Sequence, residues 1–219
     1  MNIKWYGHSC FLLTSEDGTR ILTDPPAPDT GYVVTGVECD AVTVSHAHFD
    51  HSYVKAAAGD PLVITGTEPE KVGSVGITAF PAMHDKDGGK RRGTVNMYLF
   101  DIDGMRVLHA GDIGALPTEE EAAAIGKVDV LLVPIGGKYT LDYLEARAFA
   151  NMLRPSVVIP MHYKTPESRI DVDDCESFVS TVQDCRIHKL NDCEASIYVN
   201  TLGEDRVLVL DPYKEETAE

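Results

Sequence analysis

The chain has 219 residues, of which 43% are hydrophobic, and 19 Lys and Arg against 35 Asp and Glu give it a formal net charge of −16 at pH 7. Such an acidic surface repels phosphate backbones and anionic headgroups, which argues against general nucleic-acid binding and against docking on membranes. No apolar run in the sequence approaches the about 20 residues that span a bilayer, so we expect no membrane partner.

Short segments with the apolar pattern of β-strands dominate the first half of the chain. The predicted strands cover residues 2–6, 9–15, 19–24, 40–45, 61–66, 75–82, 94–101 and 105–110. Turn residues join some of them, as in SEDGT (15–19), and a polar loop, DKDGGKRRG (85–93), follows residues 75–82.

Strands and helices alternate in the second half. Thr118 and Glu121 match a capping box, which predicts a helix that stops at Gly126. The remaining predicted elements are strands at 128–134, 156–162, 195–201 and 205–210, a helix at 141–153 capped by Thr140, and a helix at roughly 172–183. Strands followed by this alternation predict an α+β protein with two sheets and helices packed outside them.

No linker composition divides the chain, so we expect one domain that spans residues 1–219. The five cysteines are odd in number and lack C-x-x-C spacing, which is typical of reduced thiols. The start, MNIKWYGHSC, lacks the basic-then-apolar order of a signal peptide. We therefore expect a cytoplasmic protein, and the sequence leaves its oligomeric state open.

The segment SHAHFDHSY (45–53) concentrates potential metal ligands on the loop after a predicted strand. His46, His48, Asp50 and His51 fit H-x-H-x-D-H, and imidazole is the commonest metal ligand in proteins. A His-rich surface loop could match by chance. Catalytic zinc takes three protein ligands and a water, so these four residues cannot complete two sites and further ligands must come from elsewhere.

Three residues at or just past predicted strand ends meet this demand. His84 follows VGITAFPAM, Asp112 follows RVLHAG, and His162 follows SVVIPM. Loops at one sheet edge can bring such residues together, and the carboxylate of Asp112 could bridge two cations. His109 lies an odd number of strand positions from Asp112, so we expect it on the opposite face, away from the metals.

The ordered motifs resemble the metallo-β-lactamase-fold hydrolases. WYGHSCFLL, LTDP (22–25), AGDIG (110–114), PIGGKYT (134–140) and VIPMHY (158–163) resemble the small branch that includes ascorbate-6-phosphate lactonase. The resemblance implies a four-layer αββα sandwich with a dinuclear site, and Asp24 supporting the ligand loop. The implied ligands are His46, His48 and His84 for one metal, Asp50, His51 and His162 for the other, and Asp112 as the bridge.

The function that follows is hydrolysis of an ester-type bond, whether lactone, phosphodiester, thioester or amide, in a small substrate that could be anionic. A hydroxide held between two divalent cations would attack, and Asp50 could accept the proton of that water. Zinc suits the nitrogen and oxygen ligands, and manganese or iron would also fit. We expect His8 and Tyr139 to contact or polarise the substrate, whereas His188 and Cys10 are expected to have no role in the chemistry.

Two questions stay open at the level of sequence. The basic residues around the ligand segments, such as those of the 85–93 loop, could create a positive field for an anionic substrate or simply be solvated. A non-catalytic metal-binding sensor or scaffold on the same fold is the alternative function. Flavodiiron-type electron carriers resemble H-x-E-x-D-H, with a carboxylate where this chain has His48, which favours hydrolysis here.

Overall fold

The computed structural model describes residues 1–183, 185–202 and 206–214. The strands within these residues are β1 (Asn2–Gly7), β2 (Cys10–Thr14), β3 (Arg20–Thr23), β4 (Val37–Glu38), β5 (Ala41–Thr43), β6 (Ala57–Ala58), β7 (Leu62–Ile64), β8 (Glu70–Val72), β9 (Val75–Met83), β10 (Thr94–Ile102), β11 (Met105–His109), β12 (Val130–Pro134), β13 (Val157–Met161), β14 (Arg186–Lys189), β15 (Glu194–Ser196) and β16 (Arg206–Val209). The α-helices are α1 (Glu119–Ile125), α2 (Tyr143–Leu153) and α3 (Cys175–Thr181).

The larger strands form two sheets. The first has the order β15-β1-β2-β3-β5-β7 and the second has the order β14-β16-β13-β12-β11-β10-β9-β8. In both sheets an antiparallel meander continues into parallel strands, β3-β5-β7 in the first and β11-β12-β13-β16 in the second. The carboxyl ends of parallel strands share one edge of a sheet, which is where connecting loops can assemble a site.

The main hydrophobic core lies between the two sheets. In β2, Phe11 and Leu13 belong to this core, whereas Cys10 belongs to a second, smaller cluster. The same alternation places Ile21 in the main core and Leu22 in the smaller one, as expected for a strand with both faces covered. The predicted α+β fold with two packed sheets is confirmed.

The two outer layers differ from each other. Helix α2 packs against β12 through a buried stripe of Ala146, Phe149 and Leu153. Over the first sheet, the described residues provide loops and 3₁₀ turns (Pro28–Thr30 and Val54–Ala56) in place of an α-helix. The prolines of DPPAPD (24–29) explain this, because proline removes a backbone donor and disrupts a helix interior.

The helix caps confirm one sequence prediction and correct another. Thr118 and Glu121 form the expected capping box, and Gly126 follows the end of α1. Helix α2 is capped by Asp142 and not by Thr140: its carboxylate accepts from the amides of Leu144 and Glu145, both at 2.9 Å. A carboxylate is at least as good a cap as a hydroxyl, so the position nearer the first helical turn is used.

Several strand predictions were wrong or incomplete. The strand predicted at 195–201 ends at Ser196 in β15, and Val199–Thr201 is a 3₁₀ turn. The strand predicted at 205–210 begins at a residue outside the described ones, and β16 covers the part that follows. The sequence did not predict β4, β6, β8 or β14. None of the described helices could cross a bilayer, since even α2 has only 11 residues.

Candidate metal centre

All seven predicted ligands converge at one edge of the two sheets. Four of them lie on the loop after β5, where the chain turns tightly enough for the amide of His51 to donate to the carbonyl of His48 at 3.0 Å. The others follow the ends of β9, β11 and β13. The convergence predicted from strand ends is therefore present in the structure, although the role of each residue as a ligand stays a prediction.

His46, His48 and His84 form the first cluster. The Nε2 atom of His46 lies 2.9 Å from Nδ1 of His48, which lies 3.2 Å from Nε2 of His84. Ligand nitrogens about 2.05 Å from a tetrahedral zinc ion are about 3.3 Å apart, so this spacing suits a shared cation. Burial lowers the pKa of His46 to about 3, and burial also lowers the pKa of His84, which favours the neutral imidazoles that bind metals.

The second cluster contains Asp50, His51 and His162, together with His8. One ligand atom from each of the four lies within 4.8 Å of the others. The Oδ2 atom of Asp50 is 3.3 Å from Nε2 of His8 and 3.8 Å from Nε2 of His51. Burial would raise the pKa of Asp50, but the hydrogen bond from His8 and the charge of His51 outweigh it and lower the pKa.

Asp112 lies between the two clusters. Its Oδ2 atom is 3.1 Å from Nε2 of His51 and 3.2 Å from Nε2 of His162 in the second cluster. The same oxygen is 3.8 Å from Nε2 of His84 and 4.0 Å from Nε2 of His46 in the first. Burial would raise the pKa of Asp112, but His162 and His51 hold it well below its usual range, so the carboxylate stays charged.

Unpartnered buried atoms show that this donor set fits divalent cations. The Nε2 atoms of His51 and His162 and the Oδ1 atom of Asp112 are buried, and none of them has a hydrogen-bond partner among the described residues. Buried polar atoms in proteins are nearly always paired, so three such atoms in one place call for an absent partner. A cation between these atoms would satisfy imidazole and carboxylate donors together.

Asp24 supports the ligand loop from behind, as the resemblance implied. Its Oδ2 atom accepts from Nδ1 of the buried His51 at 2.9 Å, and its Oδ1 atom accepts from the amide of Ser45 at 2.7 Å. A proton on Nδ1 leaves Nε2 of His51 as the free lone pair that faces Asp112. Burial opposes the charge of Asp24, but the hydrogen bond with His51 lowers its pKa.

His8 lies beneath Asp50 and has no exposed surface, so it does not line the cavity as a substrate contact would. It adopts a left-handed backbone with φ of 52°, and its carbonyl accepts from the indole of Trp5 and the amide of His162. Burial, with the neighbouring His162, lowers the pKa of His8 to about 4. The structure therefore places the ring of His8 against Asp50, and a role of His8 toward the substrate stays a prediction.

A cavity of about 560 Å³ opens above the two clusters. Its wall is formed by His48, Phe49, Asp50, His84, Arg92, Asp112, Tyr139, Arg169, Ile170 and Asp171. Tyr139 lies on this wall and is 37% exposed, with the guanidinium of Arg92 4.9 Å from its ring centre. Its contact with a substrate stays a prediction. Sequence reasoning did not single out Arg169, which lies on a loop without any motif.

The remaining histidines are placed as the sequence predicted. Both ring nitrogens of His109 are engaged: Nε2 lies 2.8 Å from the carbonyl of Ser9, and Nδ1 accepts from the amide of Gly111 at 3.2 Å. His188 is exposed on β14, which lies at the edge of the second sheet. Cys10 is buried in the smaller core, and burial raises its thiol pKa well above the ordinary value.

Comparisons with known proteins agree with this geometry. Residues 2–162 match the family described as a beta-lactamase superfamily domain. A UPF0173 metal-dependent hydrolase from Methanoregula boonei is 33% identical over an alignment of 191 positions, which covers 76% of this chain and 84% of that protein.

Two solved structures resemble the fold over nearly its whole length. One is a candidate zinc-dependent hydrolase of the metallo-β-lactamase superfamily from Thermotoga maritima, with a TM-score of 0.79, 32% identity, and coverage of 95% of this chain and 97% of that one. The other is a metallo hydrolase from Ignicoccus hospitalis, with a TM-score of 0.66, 25% identity, and coverage of 97% and 96% respectively.

Proposed function

Since this chain belongs to the metallo-β-lactamase superfamily and is a metal-dependent hydrolase within it, we propose that it binds two divalent cations and hydrolyses an ester-type bond in a small molecule. The bond class covers lactones, phosphodiesters, thioesters and amides. Zinc is the proposed metal, with manganese or iron as alternatives that the same nitrogen and oxygen donors accept. The cytoplasmic location expected from the sequence stays a prediction.

The position of Asp112 is the observation that carries this proposal. Its Oδ2 atom lies within 4.0 Å of imidazole nitrogens from both clusters, which is the place of a bridging carboxylate. A single cation would use the ligand atoms of only one of the two clusters. Two cations would use both clusters, and the negative charge of Asp112 would offset part of their mutual repulsion.

Bound divalent cations would supply Lewis acidity by lowering the pKa of water and polarising the acyl or phosphoryl oxygen under attack. The protein itself would hold the group that accepts a proton from this water. Asp50 lines the cavity with its carboxylate ionised, so its oxygen can take the proton that water loses. His8, which contacts that carboxylate from beneath, restricts its rotation and is a positioning residue.

The cavity is the proposed binding site for the substrate. Tyr139 and Phe49 are both exposed on its wall, so an apolar part of a substrate can pack beside the polar ligand cluster. A volume of about 560 Å³ suits a small molecule and is too small for a folded polymer. We propose Tyr139 as a substrate contact.

Metal content and turnover test the proposal together. Purified protein is analysed for bound metal and then assayed against nitrophenyl phosphodiesters, lactones and thioesters, with Asp112→Ala as the inactive variant and His188→Ala as the matched control. We expect two equivalents of metal in the unaltered protein, and turnover that Asp112→Ala abolishes and His188→Ala preserves. Metal binding without turnover of any compound would favour the sensor or scaffold alternative.

A further inference from the structure

Two arginines, Arg92 and Arg169, line the cavity above the metal clusters. We propose that this arginine pair binds an oxyanion of the substrate, a carboxylate or a phosphate, and so selects anionic over neutral substrates of the same bond type. The proposal rests on the hydrolytic function proposed above and names its substrate class.

Three other basic side chains near the cavity are already paired with carboxylates. Lys86 pairs with Glu145 at 2.6 Å and Lys138 pairs with Asp171 at 2.6 Å, while Arg91 pairs with Asp87 at 2.5 Å. Among residues 1–183, 185–202 and 206–214, by contrast, no carboxylate forms a salt bridge with the arginine pair. In a chain with a net charge of −16, two such cations on one cavity wall indicate a site for an external anion.

Arg92 is held at the cavity by a preorganised loop. The carboxylate of Asp85 accepts four backbone amides, those of Asp87, Gly89, Arg91 and Arg92, at 2.8 to 3.0 Å. Four amide donors on one carboxylate therefore tie the whole loop to a single anchor beside the cavity. The guanidinium carbon of Arg92 lies 4.9 Å from the centre of the Tyr139 ring, a cation–π contact that holds the side chain at the cavity wall.

Arg169 is fixed from the opposite loop. Its amide donates to the carbonyl of Thr30 at 2.7 Å, and the ammonium of Lys164 donates to the carbonyls of Ser168 and Ile170 on either side of it. The loop can lie this close because Gly31 has no side chain: a Cβ there would be 2.0 Å from the carbonyl oxygen of Glu167. The backbone of Arg169 is therefore ordered before a ligand binds, which limits the entropy lost on binding.

An arginine side chain can recognise an oxyanion by its hydrogen-bond geometry as well as by its positive charge. Its planar fork can donate two parallel hydrogen bonds to a carboxylate or phosphate, and such charge-assisted bonds are about twice as strong as neutral ones. Asp171 also lines the cavity, but its charge is taken up by Lys138. An anion held by the arginine pair would leave the rest of the molecule beside the metal clusters.

A matched pair of esters tests the arginine pair. Mono-4-nitrophenyl adipate carries a free carboxylate, and its methyl ester is the same molecule without that charge. Release of nitrophenolate is followed for the metal-loaded protein, for the double variant Arg92→Gln with Arg169→Gln, and for Arg91→Gln, a neighbouring arginine whose charge is already paired. The binding of adipic acid monoanilide and of its methyl ester is measured by calorimetry on metal-loaded and metal-free protein.

We expect the unaltered protein to prefer the anionic ester by about 10-fold or more in kcat/KM, mainly through KM, as charge-assisted bonds of this kind predict. The double variant should lose that preference in both hydrolysis and binding, with the neutral ester changed by less than about 3-fold, and Arg91→Gln should keep it. An equal preference in the double variant and the unaltered protein would overturn the proposal. If neither ester is hydrolysed, the proposed ester hydrolysis is wrong. The binding affinities from calorimetry then test the arginine pair on their own.

Discussion

Replacing Asp24 with asparagine tests whether a residue behind the ligands controls metal binding. The buried carboxylate accepts from His51 Nδ1 at 2.9 Å and from the amide of Ser45 at 2.7 Å. Asparagine keeps the size and one oxygen, but its NH₂ group can face Nδ1 of His51. That contact favours the tautomer with the proton on Nε2, which removes the lone pair needed for a metal.

The expected magnitudes follow from this geometry. The Oδ2 atom of Asp24 also accepts from Oγ of Ser45 at 2.5 Å, but that hydroxyl can rotate to accept from the NH₂ group of asparagine. The net loss is one hydrogen bond to a charged group, which costs about 1.5–3 kcal/mol and in a chain of this size corresponds to a fall in Tm of about 3–12 °C for the metal-free protein. Loss of the orienting partner of a histidine ligand lowers metal affinity by about 10–100-fold. The loaded protein should therefore lose more stability than the metal-free protein does.

Chelator competition measures the metal affinity, and thermal unfolding with and without metal measures the stability. Asp129→Asn is the matched control, because Asp129 is also buried and accepts a backbone amide, that of Arg106 at 2.9 Å, but lies just before β12, away from the ligands. It should lower Tm without changing metal affinity. Equal metal affinities for Asp24→Asn and the unaltered protein would refute the reasoning.

Three further predictions address the ligands, the metal and the thiol. His48→Ala should lose about one equivalent of metal together with activity, whereas His188→Ala should lose neither. Elemental analysis measures the metal and kinetics the activity, and equal behaviour of the two variants would show that His48 is not a metal ligand. Chelation should lower Tm by about 5 °C or more, since a metal that binds only the folded state stabilises it by mass action; an unchanged Tm on full removal would argue against a site built for cations. Because burial raises the pKa of Cys10, its thiol should resist iodoacetamide at pH 8 in the folded protein, which mass spectrometry can follow. The variant Cys10→Ala should keep activity within about 3-fold. Rapid modification with loss of activity would contradict a structural role.

The ligand set could be predicted because each ligand lies in a short motif or directly after a strand that the sequence itself reveals. H-x-H-x-D-H places four residues on one loop, and the other ligands follow strands whose apolar patterns are clear. Parallel strands bring their carboxyl ends to one edge of a sheet, so residues that follow different strands can be predicted to lie close together. The same reasoning correctly kept His109 out of the site, since its strand position points it toward Ser9.

The features that sequence reasoning missed depend on contacts between distant segments. Strands β8 (EKV) and β14 (RIHK) lie at the two edges of the second sheet, where exposed polar residues erase the hydrophobic signal of a strand. Arg169 reaches the cavity only because its loop packs on Thr30 and Gly31, far away in the sequence. His8 was correctly placed near the site, but only the fold shows that it lies beneath Asp50.

Anomalous diffraction from crystals of the zinc-loaded protein tests the central claim most directly, because it locates each bound ion independently of activity. We expect two peaks, one among His46, His48 and His84 and the other among Asp50, His51 and His162, with Asp112 between them. A single peak, or ions held away from Asp112, would contradict it.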